Sequence, residues 1–304
     1  MIQTVFFGTN EFAARTLEGL VRSPFLNVEL VITQPDKPVG RKQTSHPPAV
    51  KVMAEKYNIP LDQPNTLKSY QLAVTNCPIA VLEKYGVMIP DHIINAFPLG
   101  IINVHPSLLP KYRGPSPYQT AIMNGDVETG VTIMKLSKEM DAGPILAQIS
   151  TPIDPDETAV DLEKKLAEIG LQLLLDTLPK YVSGTIEPIS QDEKKVTYTH
   201  LFTRDTGKIN WQKTTAEIYN QYRALTSWPG VWTTWQGKRL KLLQIKPSNT
   251  KIQPGQVQWA DGSLNIGTKD GSVQVISLQL EGKQVLTPKI FMNGNPTFHN
   301  ALVH

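Results

Sequence analysis

Asn103 and His105 lie two residues apart in the apolar run Ile-Ile-Asn-Val-His at 101–105. In a β-strand, residues i and i+2 share a face, so both side chains would leave the end of one strand together. A carboxamide can donate to a developing oxyanion and an imidazole can carry a proton, so the pair could act on one carbonyl. Alone, the two also read as polar residues closing a strand. A carboxylate, Asp141, follows in the turn Glu-Met-Asp-Ala-Gly between the strand-like stretches VTIMKL and PILAQIS. It could hold the imidazolium form of His105 or order a water, provided the fold brings the two together. Asp near Gly in a turn is equally a backbone preference.

The elements that must position these groups follow a strand–helix alternation. Residues 2–7 read as a first strand, EFAARTLEGLVRS as a helix, and residues 28–33 as a second strand. An amphipathic stretch around AVKVMAEKY, a strand near 79–82, the strand 101–105 and a helix around SPYQTAIMNG come next. This order predicts an α/β, Rossmann-like, mostly parallel sheet, in which ligands bind beyond the carboxyl ends of the strands. GTNEFA after the first strand lacks G-x-G-x-x-G and reads as a tight strand-to-helix turn. Residues 34–48, rich in Pro, Gly and basic side chains, read as a long loop of the kind that forms lids or binding elements.

A helix over DLEKKLAEIGLQLLLDTLPKYVSG ends this half, and the pattern then changes. The expected organisation is a catalytic domain over 1–188, an extended linker over 189–205 and a C-terminal domain over 206–304. In the last of these, one helix (TTAEIYNQYRAL) precedes short strands broken by Gln-Gly, Asp-Gly and Glu-Gly turns. Those signals predict a small antiparallel, OB-like β-barrel.

At 304 residues, 40% hydrophobic and 19% charged, the chain has the composition of a soluble two-domain protein. No apolar run reaches the ~20 residues a membrane helix needs, and MIQTVFFGTNEF does not read as a secretory signal. A cytoplasmic location is expected. Cys77 is the single cysteine, which excludes an internal disulfide framework and a cysteine-based zinc cluster. The net charge of +3 is unevenly divided: residues 189–304 hold 14 Lys/Arg and 7 Asp/Glu, against a net −4 over residues 1–188. A basic C-terminal half suits a polyanionic partner, or simply a well-solvated domain.

The chain resembles the methionyl-tRNA formyltransferases, a family of folate-dependent formyltransferases. The likeness rests on VFFGTNEFA, TQPDKPVGRK, KYGVMIP, INVHPSLLPKYRG, ETGVTIMKL and MDAGPILAQ, and on GKINW and SWPGVW in the second half. The resemblance implies that Asn103, His105 and Asp141 are catalytic, with 10-formyltetrahydrofolate as formyl donor, released as tetrahydrofolate, and no metal. It implies a folate site against the backbone of Tyr85, Gly86, Val87, Met88, Ile89 and Pro90, with Ser107, Leu108, Leu109 and Pro110 as another wall. The loop at 34–48 corresponds to the family's mobile insertion, where Lys37, Gly40, Arg41 and Lys42 would meet tRNA. Phe12 would line the substrate pocket or serve the core.

The implied acceptor is initiator methionyl-tRNA and the implied state a monomer without membrane association. The chain departs from the family pattern at Glu83-Lys84 and at Pro106. The alternatives are a glycinamide ribonucleotide or sugar N-formyltransferase, a formyl-folate hydrolase, and an RNA-binding protein on an inactive scaffold. A basic C-terminal domain and a basic 34–48 segment favour tRNA.

Overall fold

A computed structural model of the chain describes residues 1–39, 44–74 and 76–304. The order is β1 (Ile2–Gly8), α1 (Glu11–Arg22), β2 (Leu26–Ile32), β3 (Lys37–Val39), β4 (Thr44–His46), α2 (Ala49–Lys56), β5 (Leu61–Asp62) and β6 (Ile79–Glu83). Then come α3 (Asp91–Ile94), β7 (Gly100–His105), α4 (Pro117–Asn124), β8 (Glu128–Lys135), β9 (Ile145–Pro152) and α5 (Ala159–Val182). The remainder holds α6 (Thr215–Ala224), β10 (Val231–Trp235), β11 (Lys238–Ser248), β12 (Val257–Ala260), β13 (Ser263–Gly267), β14 (Ser272–Leu280), β15 (Val285–Leu286) and α7 (Pro288–Gly294).

Two compact units result. The first comprises residues 1–114, 129–151 and 163–198; the second comprises 115–128, 152–162 and 199–304. The ranges expected from sequence are continuous, whereas these units interleave between residues 115 and 162.

In the first unit, seven strands run in the order β5-β2-β1-β6-β7-β8-β9. β1, β2, β5, β6 and β7 are parallel, and β8 pairs antiparallel with β7. The chain moves outward from β1 to β2 and then returns to β6 on the other side. The order therefore reverses between β1 and β6, and in sheets of this kind the ligand crevice opens beyond such a point. One face of the sheet is buried as a cluster that includes Val5, Phe7, Leu30, Ile32, Ala80, Tyr85, Ile93 and Ile101. α1 begins where sequence chemistry requires: the Asn10 side chain accepts from Ala13 N–H at 3.1 Å, and Glu11 sits in the first turn.

Within 34–48, residues 37–39 and 44–46 are a correction to the expected loop, and residues 40–43 lie outside the described residues. β3 and β4 pair there as an antiparallel ribbon, with Lys37 opposite His46 and Pro38 opposite Ser45. Lys37, Pro38, Ser45 and His46 are exposed or polar and leave no apolar alternation to read. The expected linker is also more than a connection, since Ile189 and Ile145 exchange both backbone hydrogen bonds, at 2.7 and 2.8 Å.

The second unit is built on an antiparallel sheet in the order β10-β11-β14-β13-β12, with β15 beside β14. Trp235, Phe291 and Phe298 pack edge-to-face in its interior, with centroids 4.8–5.9 Å apart. Residues 300–304 join the two outer strands: Asn300 and Ala301 bond to Val257 of β12, and His304 exchanges bonds with Thr234 of β10. A capping box between Thr214 and Glu217 starts α6.

Candidate active site

β7 lies between β6 and β8, and its register is fixed on both sides. Asn103 is opposite Leu82 on β6 and Met134 on β8, and His105 is opposite Thr132. Asn103 and His105 are 8% and 4% exposed, so both polar groups act in a largely desolvated place. His105 Nε2 is 3.0 Å from the Tyr112 carbonyl. A carbonyl only accepts, so this nitrogen carries the proton and donates. Nδ1 is then the nitrogen that gains or loses a proton, and it lies 3.7 Å from Asp141 Oδ1.

Burial pushes the His105 pKa down, and this outweighs the nearby Asp141 carboxylate and the Tyr112 carbonyl, which pull it up; Lys84 adds to the lowering. The imidazole is thus kept neutral further into the acid range than an ordinary histidine. Lys84 sits at φ +48° and pairs with Glu163 at 3.5 Å. Before it, Glu83 is buried with Oε2 lacking a hydrogen-bond partner, and burial pushes its carboxyl pKa up.

Asp141 stands in the turn between β8 and β9 at φ +51°, a left-handed conformation. Its Oδ2 accepts from Gly114 N–H at 2.8 Å, which aims the carboxylate back at His105. Gly143 closes the same turn; a Cβ there would lie 1.8 Å from the Lys135 carbonyl oxygen, so only glycine fits.

The stretch from Ser107 to Pro110 is held as a shelf. Ser107 is fully buried and its hydroxyl donates to Lys111 O at 2.7 Å. Thr132 Oγ1 donates to Ser107 O at 2.6 Å and accepts from Leu109 N–H at 3.1 Å. Gln148 Nε2 bonds Leu109 O at 2.8 Å, and the Leu109–Pro110 peptide is cis. Leu108 is half-buried.

Beyond β6, the Tyr85 ring is in the core against Phe7, with centroids 5.7 Å apart, so only its backbone is available to a ligand. The Tyr85 carbonyl accepts from Thr9 Oγ1 at 2.9 Å. Gly86 turns the chain at φ +81°. Val87 and Met88 are 48% and 80% exposed, Ile89 returns to the core, and Pro90 caps α3.

Phe12 is half-buried on α1, with the Arg15 guanidinium 6.0 Å from its ring centroid. Lys37 is exposed on β3 and bonds Gln34. Gly40, Arg41 and Lys42 lie outside the described residues. Among the described residues, no group of three or more His, Cys, Asp or Glu is placed to hold a metal ion, and no helix is long and apolar enough to cross a membrane.

Sequence reasoning missed the Tyr112 carbonyl, the Gly114 N–H, Thr132 and Gln148. Arg113 and Gly114 are visible in the motif KYRG, but nothing local signals what their backbones and side chains hold.

The family model described as formyl transferase matches residues 2–178, and that of the formyl transferase C-terminal domain matches residues 202–296. A methionyl-tRNA formyltransferase from Caldicellulosiruptor saccharolyticus is 39% identical over 95% of this chain and 96% of its own length. One from Enterococcus faecalis is 40% identical over 97% and 96%. Among solved structures, an N-formyltransferase from Helicobacter canadensis, in complex with folinic acid and dTDP-3-aminofucose, shares the fold at a TM-score of 0.69 and 23% identity, covering 90% of this chain and 99% of that one. WlaRD, a sugar 3N-formyltransferase, aligns with a TM-score of 0.67 at 22% identity, over 93% and 99%. With matches to both halves and close relatives along nearly its whole length, the chain belongs to the formyl transferase family, in its methionyl-tRNA formyltransferase branch.

Proposed function

We propose that the chain transfers the formyl group of 10-formyltetrahydrofolate to the α-amino group of initiator methionyl-tRNA, as a cytoplasmic monomer. The observation that carries this reading is the meeting of His105 and Asp141 beyond β7, on the strand face that also bears Asn103, in a formyl-transferase fold. The neutral amine attacks the formyl carbon, a C–N bond forms, and the bond from that carbon to the folate nitrogen breaks. Asn103 donates to the oxygen as it gains charge, in a site dry enough to make that donation strong. His105 Nδ1 takes the proton the amine sheds and returns it to the departing nitrogen. Asp141 stabilises the imidazolium while the proton is held.

Tyr85 to Pro90 would hold the pterin end by backbone groups, with Ser107 to Pro110 as the facing wall. The exposed apolar side chains of Val87 and Met88 suit a flat heteroaromatic ligand. The catalytic range would be 1–188 and the linker 189–205, a division of the chain by role that differs from its two interleaved compact units. The range 206–304 would bind tRNA through its excess of basic side chains, among them Lys208, Lys238, Arg239, Lys241 and Lys246. Lys37, Gly40, Arg41 and Lys42 would meet the acceptor end, with Phe12 against a base.

The test is transfer of labelled formyl from 10-formyltetrahydrofolate to methionyl-initiator tRNA, beside glycinamide ribonucleotide and a no-acceptor control. Label on the tRNA supports the reading. Label on glycinamide ribonucleotide or free formate overturns the acceptor. Affinity for tRNA should fall steeply with salt, and a flat response would remove the role given to the basic half.

A further inference from the structure

Gln191 lies in a stretch with no helical or strand period, fifty residues beyond Asp141. Its carboxamide is nonetheless used on both sides. Nε2 donates to Asp141 O at 2.8 Å and to Gly143 O at 2.7 Å, so both hydrogens grip the turn between β8 and β9. Oε1 accepts from Arg113 Nε at 3.0 Å and Nη2 at 2.9 Å.

Arg113 is 1% exposed, among the most buried side chains of the protein. Glu193 answers its charge, Oε1 accepting from Nη2 at 2.7 Å and Oε2 from Nη1 at 3.3 Å, and Tyr198 also bonds it. The flanking backbone is tied to the same stretch: Tyr112 N–H donates to Thr197 Oγ1 at 2.8 Å and Arg113 N–H to Thr197 O at 2.9 Å. The neighbours of Arg113 contact the chemistry from both sides, with the Tyr112 carbonyl on His105 and the Gly114 N–H on Asp141.

We propose that Gln191, locked by Arg113 and Glu193, is a positioning residue that sets the Asp141 carboxylate against His105. This rests on the catalytic reading of Asp141 given above. A buried guanidinium is costly unless fully bonded. Here it has an architectural use: it orients one carboxamide whose two N–H groups fix the carbonyls of a turn in a strained, left-handed conformation. The stretch 191–198 is thus part of the site's frame.

Gln191→Glu isolates the role. It keeps the shape and can pair with Arg113, but a carboxylate cannot donate to the two turn carbonyls. The expected result is a kcat loss of roughly 10- to 100-fold, the cost of about an ångström of misplacement. KM for 10-formyltetrahydrofolate should stay within about twofold, since a transition-state contact is what is lost.

The His105 limb of the pH–rate profile should move to lower pH. Asp141 and the Tyr112 carbonyl raise that group while burial and Lys84 lower it, and Asp141 is the one displaced. A merely structural fault would lower Tm without moving the limb. In an Asp141→Asn background, Gln191→Glu should add little, because the two act as one unit.

Wild-type kcat in Gln191→Glu, an unmoved limb, or an equal loss in both backgrounds would overturn the proposal. Wild-type turnover in Asp141→Asn alone would overturn the reading of Asp141 instead. Gln191→Met, which removes the donors without adding charge, gives the same readouts if Gln191→Glu fails to fold.

Discussion

The two halves of the site are placed by different means. Asn103 and His105 ride on β7, where hydrogen bonds to β6 and β8 fix their height and the strand's alternation fixes their face. Asp141 rides on the turn between β8 and β9, outside the paired strands themselves, and its carboxylate is aimed by the Gly114 N–H while Gln191 grips the turn's carbonyls. The strand end separates chemistry from architecture, because its side chains can be changed without touching the backbone that carries them. In the turn the two are joined.

The comparison would break first at the strand end. His105→Ala should cost roughly 10³- to 10⁴-fold in kcat and Asn103→Ala roughly 10²- to 10³-fold. Tm should change little for Asn103→Ala and fall modestly for His105→Ala, which leaves the Tyr112 carbonyl without its donor, as measured by thermal unfolding beside single-turnover transfer. A variant that lost both activity and stability would show that the strand end is no freer than the turn. Gly143→Ala tests the other side. Its Cβ must displace the Lys135 carbonyl, so stability should fall by about 2–3 kcal/mol, within the range of severe single substitutions. Turnover should fall with it.

The smallest effect concerns the β6 end. Glu83 has a raised carboxyl pKa, so the folded state binds that proton more tightly than the unfolded chain. Stability from this group is present below the ordinary carboxylate range and is lost as pH rises through the folded value, with a limiting slope of about 1.4 kcal/mol per pH unit. Glu83→Gln should flatten that loss in unfolding experiments across pH. An unchanged slope would show that Glu83 is ionised without cost.

How much of this was legible in the sequence follows the same division. β1, α1, β2, β6, β7 and the face shared by Asn103 and His105 were readable, because apolar periods report burial and a strand's alternation reports direction. The β3–β4 ribbon was not, since Lys37, Pro38, Ser45 and His46 offer no apolar face. Gln191 was not, because a carboxamide in Ile-Ser-Gln-Asp-Glu-Lys-Lys looks like any solvated linker residue. Arg113 was hidden for the converse reason: its charge suggests a surface, and only the completed fold supplies the partners that let it be buried. Interactions set by period are local and visible. Those set by a hydrogen bond across fifty residues have no local signature.

The tail that joins β10 to β12 has a consequence for how the second unit survives its own folding. Thr234 and His304 are seventy residues apart in the chain. Until that closure forms, β10 and β12 are both open edges, each presenting unpaired N–H and C=O groups to any passing strand. Closure over so long a separation must overcome the entropy of a long loop before its hydrogen bonds repay it. Residues 300–304 therefore act as an edge guard, and removing them is expected to expose both edges to pairing with other chains.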